Sequence, residues 1–374
     1  MSEEIKTCTL DEVVIITNKN CGDGTMFKGS GLPKDPPRIP FGAFTIDFST
    51  GGGIPLWGTT GLWGPEAGGK TSQGLSCVAT SQLICWKCFR LLGLDCKCSQ
   101  ESLPMEAVWL DVEGTLDRTW AQCIGADPEK YRVVLADYGE QYANIADNVL
   151  RADDCGLVVV DSLAAITPEA EMEKAAEDDF YALQARLIGR MVRKLKQQLI
   201  RQRKRGHPCS VILMNQMRSK IGVQFGSPET MAGGHALKHE FSLLMRCVKT
   251  ALKDNEKKLY AGKEKDKAVR HAFSIRKEKV LTLGGTGYYM RLREDMPEVG
   301  LKKGQVADYG TVMTYAKEYG VVAKTSSKQN PWKYKDSISS RTLEKITELW
   351  KLRPLEYLWT QMEIVRRAKA RLGG

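Results

Sequence analysis

Between residues 38 and 290 short apolar runs alternate with longer stretches of mixed, helix-compatible character. The runs are Val108-Trp109-Leu110, Val133-Val134-Leu135, Leu157-Val158-Val159-Val160 and Val211-Ile212-Leu213-Met214. Each is apolar at successive positions, as expected of a strand buried on both faces of a parallel sheet. The intervening segments are long enough for crossover helices, so the pattern predicts an α/β core. It changes at both ends. Residues 1 to about 35 are polar and mixed and close on Pro33, Pro36 and Pro37, which predicts a small N-terminal element and a linker. From about 313 the alternation stops, and Arg341 to Leu372 reads as mostly helical with a break at Pro354. The expected division is therefore 1–35, 36–312 and 313–374, the last a small α-rich C-terminal domain. The chain has no internal repeats.

Composition narrows this picture. With 374 residues and 42% hydrophobic content the chain is large enough for one sizeable core with smaller attachments. No run of about 18 apolar residues exists, so no membrane span is expected. The start, Met1-Ser2-Glu3-Glu4-Ile5, has no apolar signal region, and the expected location is cytoplasmic. In that compartment the eleven cysteines are thiols or metal ligands rather than disulfides. A net charge of +10 favours an anionic partner, nucleic acid foremost.

The chemistry begins at Gly64-Pro65-Glu66-Ala67-Gly68-Gly69-Lys70-Thr71, a G-x-x-x-x-G-K-T loop. Its glycines let successive backbone N–H groups point inward at an anion. Lys70 reaches the β- and γ-phosphates of a nucleoside triphosphate, and the Thr71 hydroxyl ligates Mg²⁺. Gly61-Leu62-Trp63 reads as a strand end. Thr71 to Phe89 reads as a helix aimed at the phosphates, with Ser72 in the same nucleotide-binding set.

Two apolar runs end in acids. Asp161, after Leu157 to Val160, is placed to hold Mg²⁺, a reading favoured over the helix cap that Asp161 or Ser162 could also supply. Asp111 and Glu113 follow Val108 to Leu110. Either could orient the attacking water, and composition does not choose between them. A third run ends in Asn215-Gln216, an amide able to sense a γ-phosphate. The glycine-rich, basic segment from Met217 to Lys238 follows it, as a switch coupling nucleotide to a polyanion would.

Cys85, Cys88, Cys96 and Cys98 form two close pairs within 14 residues, a candidate Zn²⁺ site. The tight Cys96-x-Cys98 spacing departs from the usual pair. The run Arg201 to Arg205 reads as a solvated helix end, and Lys253 to Lys267 as a solvated hairpin or loop.

Together these motifs resemble the RecA family of DNA strand-exchange proteins. The resemblance covers most of the chain. It runs through Gly64–Thr71, Asp111-Val112-Glu113 with Leu116-Asp117, and Val159 to Pro168. It continues through Asn215 to Val223, Phe225-Gly226, Pro228-Glu229-Thr230 and Gly233-Gly234-His235-Ala236-Leu237-Lys238. It implies an α/β, RecA-like P-loop ATPase core with a mostly parallel sheet. It also implies ATP and Mg²⁺ as cofactors. By position, Glu113 matches the catalytic glutamate and Gln216 the γ-phosphate sensor. Asp117, Trp120 and Tyr309 match the adenine surroundings. Lys277 and Lys279 match two lysines that reach the ATP of a neighbouring subunit.

DNA-contacting positions fall at Arg186, Arg193, Arg218 and Lys220, with Gly233 and Gly234 at a phosphate. Tyr181 and Ile221 match side chains that wedge between base triplets, and residues 172–181 and 217–232 match the two DNA loops. Residues 1–35 match a subunit-contact element. Three departures mark a divergent member, and a phage-encoded origin would accommodate them. The nucleotide relay aromatic is His239, with Phe241 nearest; the C-terminal tail is basic; and Ile84 to Glu106 is longer and holds the four cysteines.

The implied function is an ATP-dependent recombinase. It would form helical filaments on single-stranded DNA and exchange strands with homologous double-stranded DNA. A ring-shaped helicase or translocase shares the loop, the glutamate and the trans cation, but should lack the Gly233 to Lys238 segment. A non-catalytic mediator is disfavoured by intact Lys70, Glu113 and Gln216.

Overall fold

The computed structural model describes residues 9–32, 35–98, 105–172, 181–219, 229–231, 234–262, 264–335 and 338–372. The chain opens with helix α1 (Leu10–Cys21), started by a capping box between Thr9 and Glu12. A short ribbon follows, β1 (Arg38–Ile39) and β2 (Ile54–Pro55), with α2 (Phe44–Ser49) between its strands.

The central layer is built by β3 (Thr59–Gly64), α3 (Lys70–Ser81), β4 (Glu106–Asp111), α4 (Arg118–Ile124), β5 (Tyr131–Val134), α5 (Gly139–Val149) and β6 (Cys155–Asp161). It continues through α6 (Glu169–Met172), α7 (Tyr181–Lys204), β7 (Ser210–Ser219), β8 (Glu229–Met231), α8 (Gly234–Glu240) and β9 (Leu243–Thr250). The last members are α9 (Asp254–Tyr260), β10 (Ala268–Glu278) and β11 (Thr286–Leu292). The strand order is β5-β4-β6-β7-β3-β9-β10-β11. From β5 to β9 the neighbours run parallel. β10, β11 and the short β8 are antiparallel additions.

Both sheet faces are apolar because successive residues of a strand point to opposite sides. Trp109, Val159, Ile212 and Met214 face α3, and Val108, Val158, Val160 and Leu213 face α5 and α7. A Cβ at Gly74 would lie 2.2 Å from the Met214 side chain, so a glycine in α3 lets the helix sit close on the sheet. The four predicted runs are strands, but Val133-Val134-Leu135 differs in setting. It lies in the edge strand β5, with Val133 exposed and Leu135 beyond the strand and exposed.

Three other expectations change. The helix predicted over 71–89 stops at Ser81, because Ile84 bridges to Leu91 and the chain folds back on itself. The segment 253–267 contains α9 rather than only a loop, and Glu256 of that helix pairs with Arg270.

The third concerns the C-terminal border. The expected cut between 312 and 313 falls inside α10 (Tyr309–Glu318). Beyond it come β12 (Val322–Lys324), β13 (Trp332–Tyr334) and β14 (Ile338–Ser340), a small antiparallel sheet ahead of the segment read as helical. The chain closes with α11 (Leu343–Leu352) and α12 (Pro354–Arg371). Pro354 opens α12, where its missing N–H has no helical partner to lose. This region has its own cluster, Val312, Met313, Val322, Tyr334, Ile346, Trp350 and Ile364, and takes Phe44 of α2 into it. Among the described residues no helix is long and apolar enough to cross a membrane.

Candidate nucleotide and nucleic-acid site

Strand register assembles the site at one edge of the sheet. Gly64 pairs with Gln216 across β3 and β7, and Asp111 pairs with Asp161 across β4 and β6. The loop between β3 and α3 ends at Gly69, the N-cap of α3, with φ +88. A side chain there would be strained, and its Cβ would lie 2.8 Å from His271 Nδ1. The helix N-terminus thus stays open as an anion cradle. Lys70 is buried, which draws its pKa below the ordinary lysine value. Its Nζ donates to the carbonyls of Pro65 (2.8 Å) and Gly64 (3.2 Å).

Thr71 Oγ1 donates to Asp161 Oδ2 at 2.8 Å. Burial pushes Asp161 up to about 6, opposed by the Thr71 hydrogen bond and reinforced by Glu113 and Asp111. A hydroxyl beside a buried carboxylate is a donor set that suits Mg²⁺.

The geometry separates the two acids that composition left equivalent. Asp111 is buried, and its oxygens accept from the N–H groups of Thr115 (3.2 Å) and Leu116 (3.0 Å), so it shapes the turn after β4. Glu113 is exposed. Its Oε1 accepts from Ser162 Oγ and from Gln216 Nε2, the latter at 2.9 Å.

A cavity of about 290 Å³ extends from the loop, walled by residues 67–72, Trp120, Val269, His271, Arg291 and Arg293. Trp120 Nε1 donates to Ser72 Oγ at 3.0 Å. Asp117 is not in that wall. It caps α4, accepting from the Trp120 N–H at 3.0 Å.

Tyr309 does not line this cavity. Its ring packs 4.3 Å from that of Tyr357 and lines a separate cavity with Asp308 and Leu358. β11 carries Arg291, with Arg293 just beyond it, to the wall instead. These two, with His271 and Val269, were missed by sequence reasoning. The available signal was basic side chains at alternate positions of a strand, Arg291 and Arg293. Arg291 is buried and donates to Ser76 Oγ and the Gly304 carbonyl, both at 2.7 Å. Burial and nearby Arg291 push His271 down to about 4, so its ring is neutral near pH 7.

The nucleic-acid positions are partly described. Arg186 and Arg193 are exposed on α7, and so is Arg190 between them. Spacings of four and three place all three on one helix face. Arg190 was missed because nothing in the motif marks it. Lys220, Ile221 and Gly233 lie outside the described residues, as do the side chains of Tyr181 and Arg218 and most of the two expected DNA loops. Gly234 opens α8. In the single chain Lys277 and Lys279 donate to the carbonyls of Lys238 (2.7 Å) and His239 (3.1 Å), holding the C-terminal end of α8. Phe241 is buried in the sheet core. The 201–205 run ends α7, with Arg205 paired to Asp153 and Arg203 over the Trp57 ring.

Away from this edge the sulfurs of Cys85, Cys88, Cys96 and Cys98 all lie within 4.8 Å of one another, with Cys88 and Cys96 3.6 Å apart. Burial pushes the Cys85 thiol up. The N–H groups of Cys88 and Lys87, with bonds from the Cys96 and Cys88 thiols, outweigh that and bring it down to about 7.

The family described as RecA N-terminal domain matches residues 9–282. Protein RecA of Trichodesmium erythraeum is 34% identical over 254 residues, covering 67% of this chain and 64% of that protein. Protein RecA of Picosynechococcus sp. is 32% identical over 278 residues, covering 74% of this chain and 71% of that protein. Protein RecA of Rubrobacter xylanophilus is 36% identical over 242 residues, covering 64% of this chain and 63% of that protein.

Proposed function

The chain belongs to the RecA family, and from that membership we propose that it is a DNA-dependent ATPase that forms helical filaments on single-stranded DNA. In that state it pairs the strand with homologous double-stranded DNA and exchanges strands. Its cofactors are ATP and Mg²⁺ at the phosphate loop and, apart from them, Zn²⁺ at the four thiols.

Bound ATP with Mg²⁺ supplies the phosphoanhydride whose hydrolysis resets the filament. Lys70 leaves the carbonyls of Gly64 and Pro65 for the phosphate oxygens, a better partner for its charge. Thr71 and Asp161 hold the cation. Glu113 orients water and takes its proton. Trp120 offers a face to the base. Lys277 and Lys279 exchange their α8 carbonyls for a phosphate presented by an adjoining subunit.

The observation that carries this reading is the Gln216–Glu113 hydrogen bond at 2.9 Å. It ties the hydrolytic carboxylate to β7, the strand that runs directly into the basic segment 217–232. A change at the γ-phosphate therefore pulls on the DNA-facing segment. The exposed Arg186, Arg190 and Arg193 support a polyanion partner. The exposed Leu10, Ile15 and Ile16 of α1 support a subunit contact. Negative-stain microscopy with a slowly hydrolysed ATP analogue and single-stranded DNA is the test. Helical filaments are expected; closed hexamers would replace this reading with the ring translocase.

A further inference from the structure

The segment from Leu83 to Cys98 leaves the C-terminal end of α3 and turns back on itself. Leu92 N–H donates to the Leu83 carbonyl, and Cys85 N–H to the Arg90 carbonyl, both at 2.8 Å. Phe89, just past Cys88, sits at φ +57, in the left-handed region where a bulky residue is strained. Some fifteen residues cannot bury a core of their own. Ile84 and Leu91 are instead sunk in the main core, and Phe89 and Leu94 pack at its margin.

The four sulfurs have the dimensions of a metal cage. A tetrahedral ion with bonds of about 2.3 Å sets its sulfurs about 3.8 Å apart. Cys88 and Cys96 stand at 3.6 Å, near that value and far beyond a disulfide bond of about 2.05 Å.

The hairpin also faces the C-terminal region at two places. Leu83 lines a cavity of about 380 Å³ whose other wall includes Pro354, Tyr357, Leu358 and Gln361 of α12. Phe89 lines a groove whose other wall includes Met362, Val365 and Lys369 of α12. Leu358 and Met362 belong to the same hydrophobic cluster as Leu91 and Phe89. On the far side of that groove Asp35 pairs with both Arg38 and Lys369.

We propose that Cys85, Cys88, Cys96 and Cys98 hold one Zn²⁺ as thiolates, and that the metal locks this hairpin as a wedge under α12. The seating of the C-terminal region on the nucleotide-binding core then depends on zinc. This rests on the zinc assignment made above. Four protein ligands leave no open position, so the ion is structural. Binding releases the thiol protons to solvent, and the zinc supplies the local stability that so short a segment lacks.

The test uses the full chain, purified without chelator. Metal analysis should find about one zinc per chain, and Cys88→Ser with Cys96→Ser should abolish it. Hydrogen exchange should then be compared before and after zinc release by a mercurial reagent, which avoids a variant that fails to fold. Amides of α12 should exchange about tenfold faster or more after release, with α5 unchanged. Phe89→Ala should keep its zinc and loosen α12. Absence of zinc, or iron in its place, overturns both the zinc and the wedge. Zinc present with α12 exchange unchanged by its release overturns the wedge and leaves the metal. Either result leaves the recombinase reading to be judged by filament formation alone.

Discussion

The two ends of α3 meet the same difficulty in opposite ways. A helix end leaves backbone groups without helical partners. At the N-terminal end Gly69, in a left-handed conformation, keeps the N–H groups open, and Lys70 rests on carbonyls it can leave. At the C-terminal end everything is closed. Gln82 brackets the backbone of Asp127 with hydrogen bonds of 2.9 and 3.0 Å, and the chain then folds back onto four converging thiols. The open end suits a ligand that must bind, react and leave. The closed end suits one that stays. Rigidity and exchange are thus divided along a helix of 12 residues.

Lys70→Ala should have the largest effect and tests whether the ends are independent. ATP turnover should fall by about a thousandfold, because the loop loses its own cation for the β/γ oxygens. Zinc content should be unchanged. Loss of zinc in that variant would mean the ends are coupled, and the comparison would fail.

Glu113→Gln should lower kcat by about a hundredfold, with nucleotide affinity in equilibrium titrations little changed. Asp111→Ala should instead lower unfolding stability by about 1–3 kcal/mol, since two N–H groups lose their acceptor. Unaltered turnover in the Glu113 variant would exchange the two roles.

A third effect sharpens what surrounds the open end. His271 has its folded pKa lowered to about 4, below the unfolded value of about 6.5. The unfolded chain therefore takes the proton first. The contribution is fully present above pH 6.5 and is lost as pH falls toward 4. Between pH 7 and 4.5, wild type should lose about 2 kcal/mol more stability than His271→Gln in denaturant titrations. Equal losses would mean the ring is solvated in the folded chain.

Arg190→Ala should have the smallest effect. The salt dependence of DNA binding should weaken by about one unit of slope if Arg190 meets a phosphate. Arg203→Ala should leave the slope alone, since its guanidinium lies over Trp57. The reverse result would move the DNA surface to the end of α7.

Tyr309, matched to the nucleotide site by resemblance, stands outside the cavity wall for a reason that applies more widely. The wall of a cavity is set by which strand lies beside which. β10 and β11 are added antiparallel at the sheet edge, and they deliver Val269, His271, Arg291 and Arg293 to the cavity beside the phosphate loop. No spacing within 67–72 announces residues some two hundred positions away. Likewise the helix expected as far as Phe89 looked continuous by local character. It stops at Ser81 because Ile84 finds Leu91 and the thiols find one another.

By itself the sequence determined whatever depends on neighbours along the chain. It placed the phosphate loop at Gly64–Thr71, the strands ending at Asp111 and Asp161, the start of α12 at Pro354 and the two cysteine pairs, whereas β7 runs past the expected end at Gln216 to Ser219. Backbone preferences and side-chain periodicity act over a few residues, so these are written locally. Tertiary structure alone decided that Glu113, not Asp111, faces Gln216, that Arg291 and Arg293 line the cavity beside the loop while Tyr309 packs on Tyr357, and that Cys85 and Cys98 meet. Those outcomes follow from strand order, register and close packing, which are properties of the whole sheet and of no single segment.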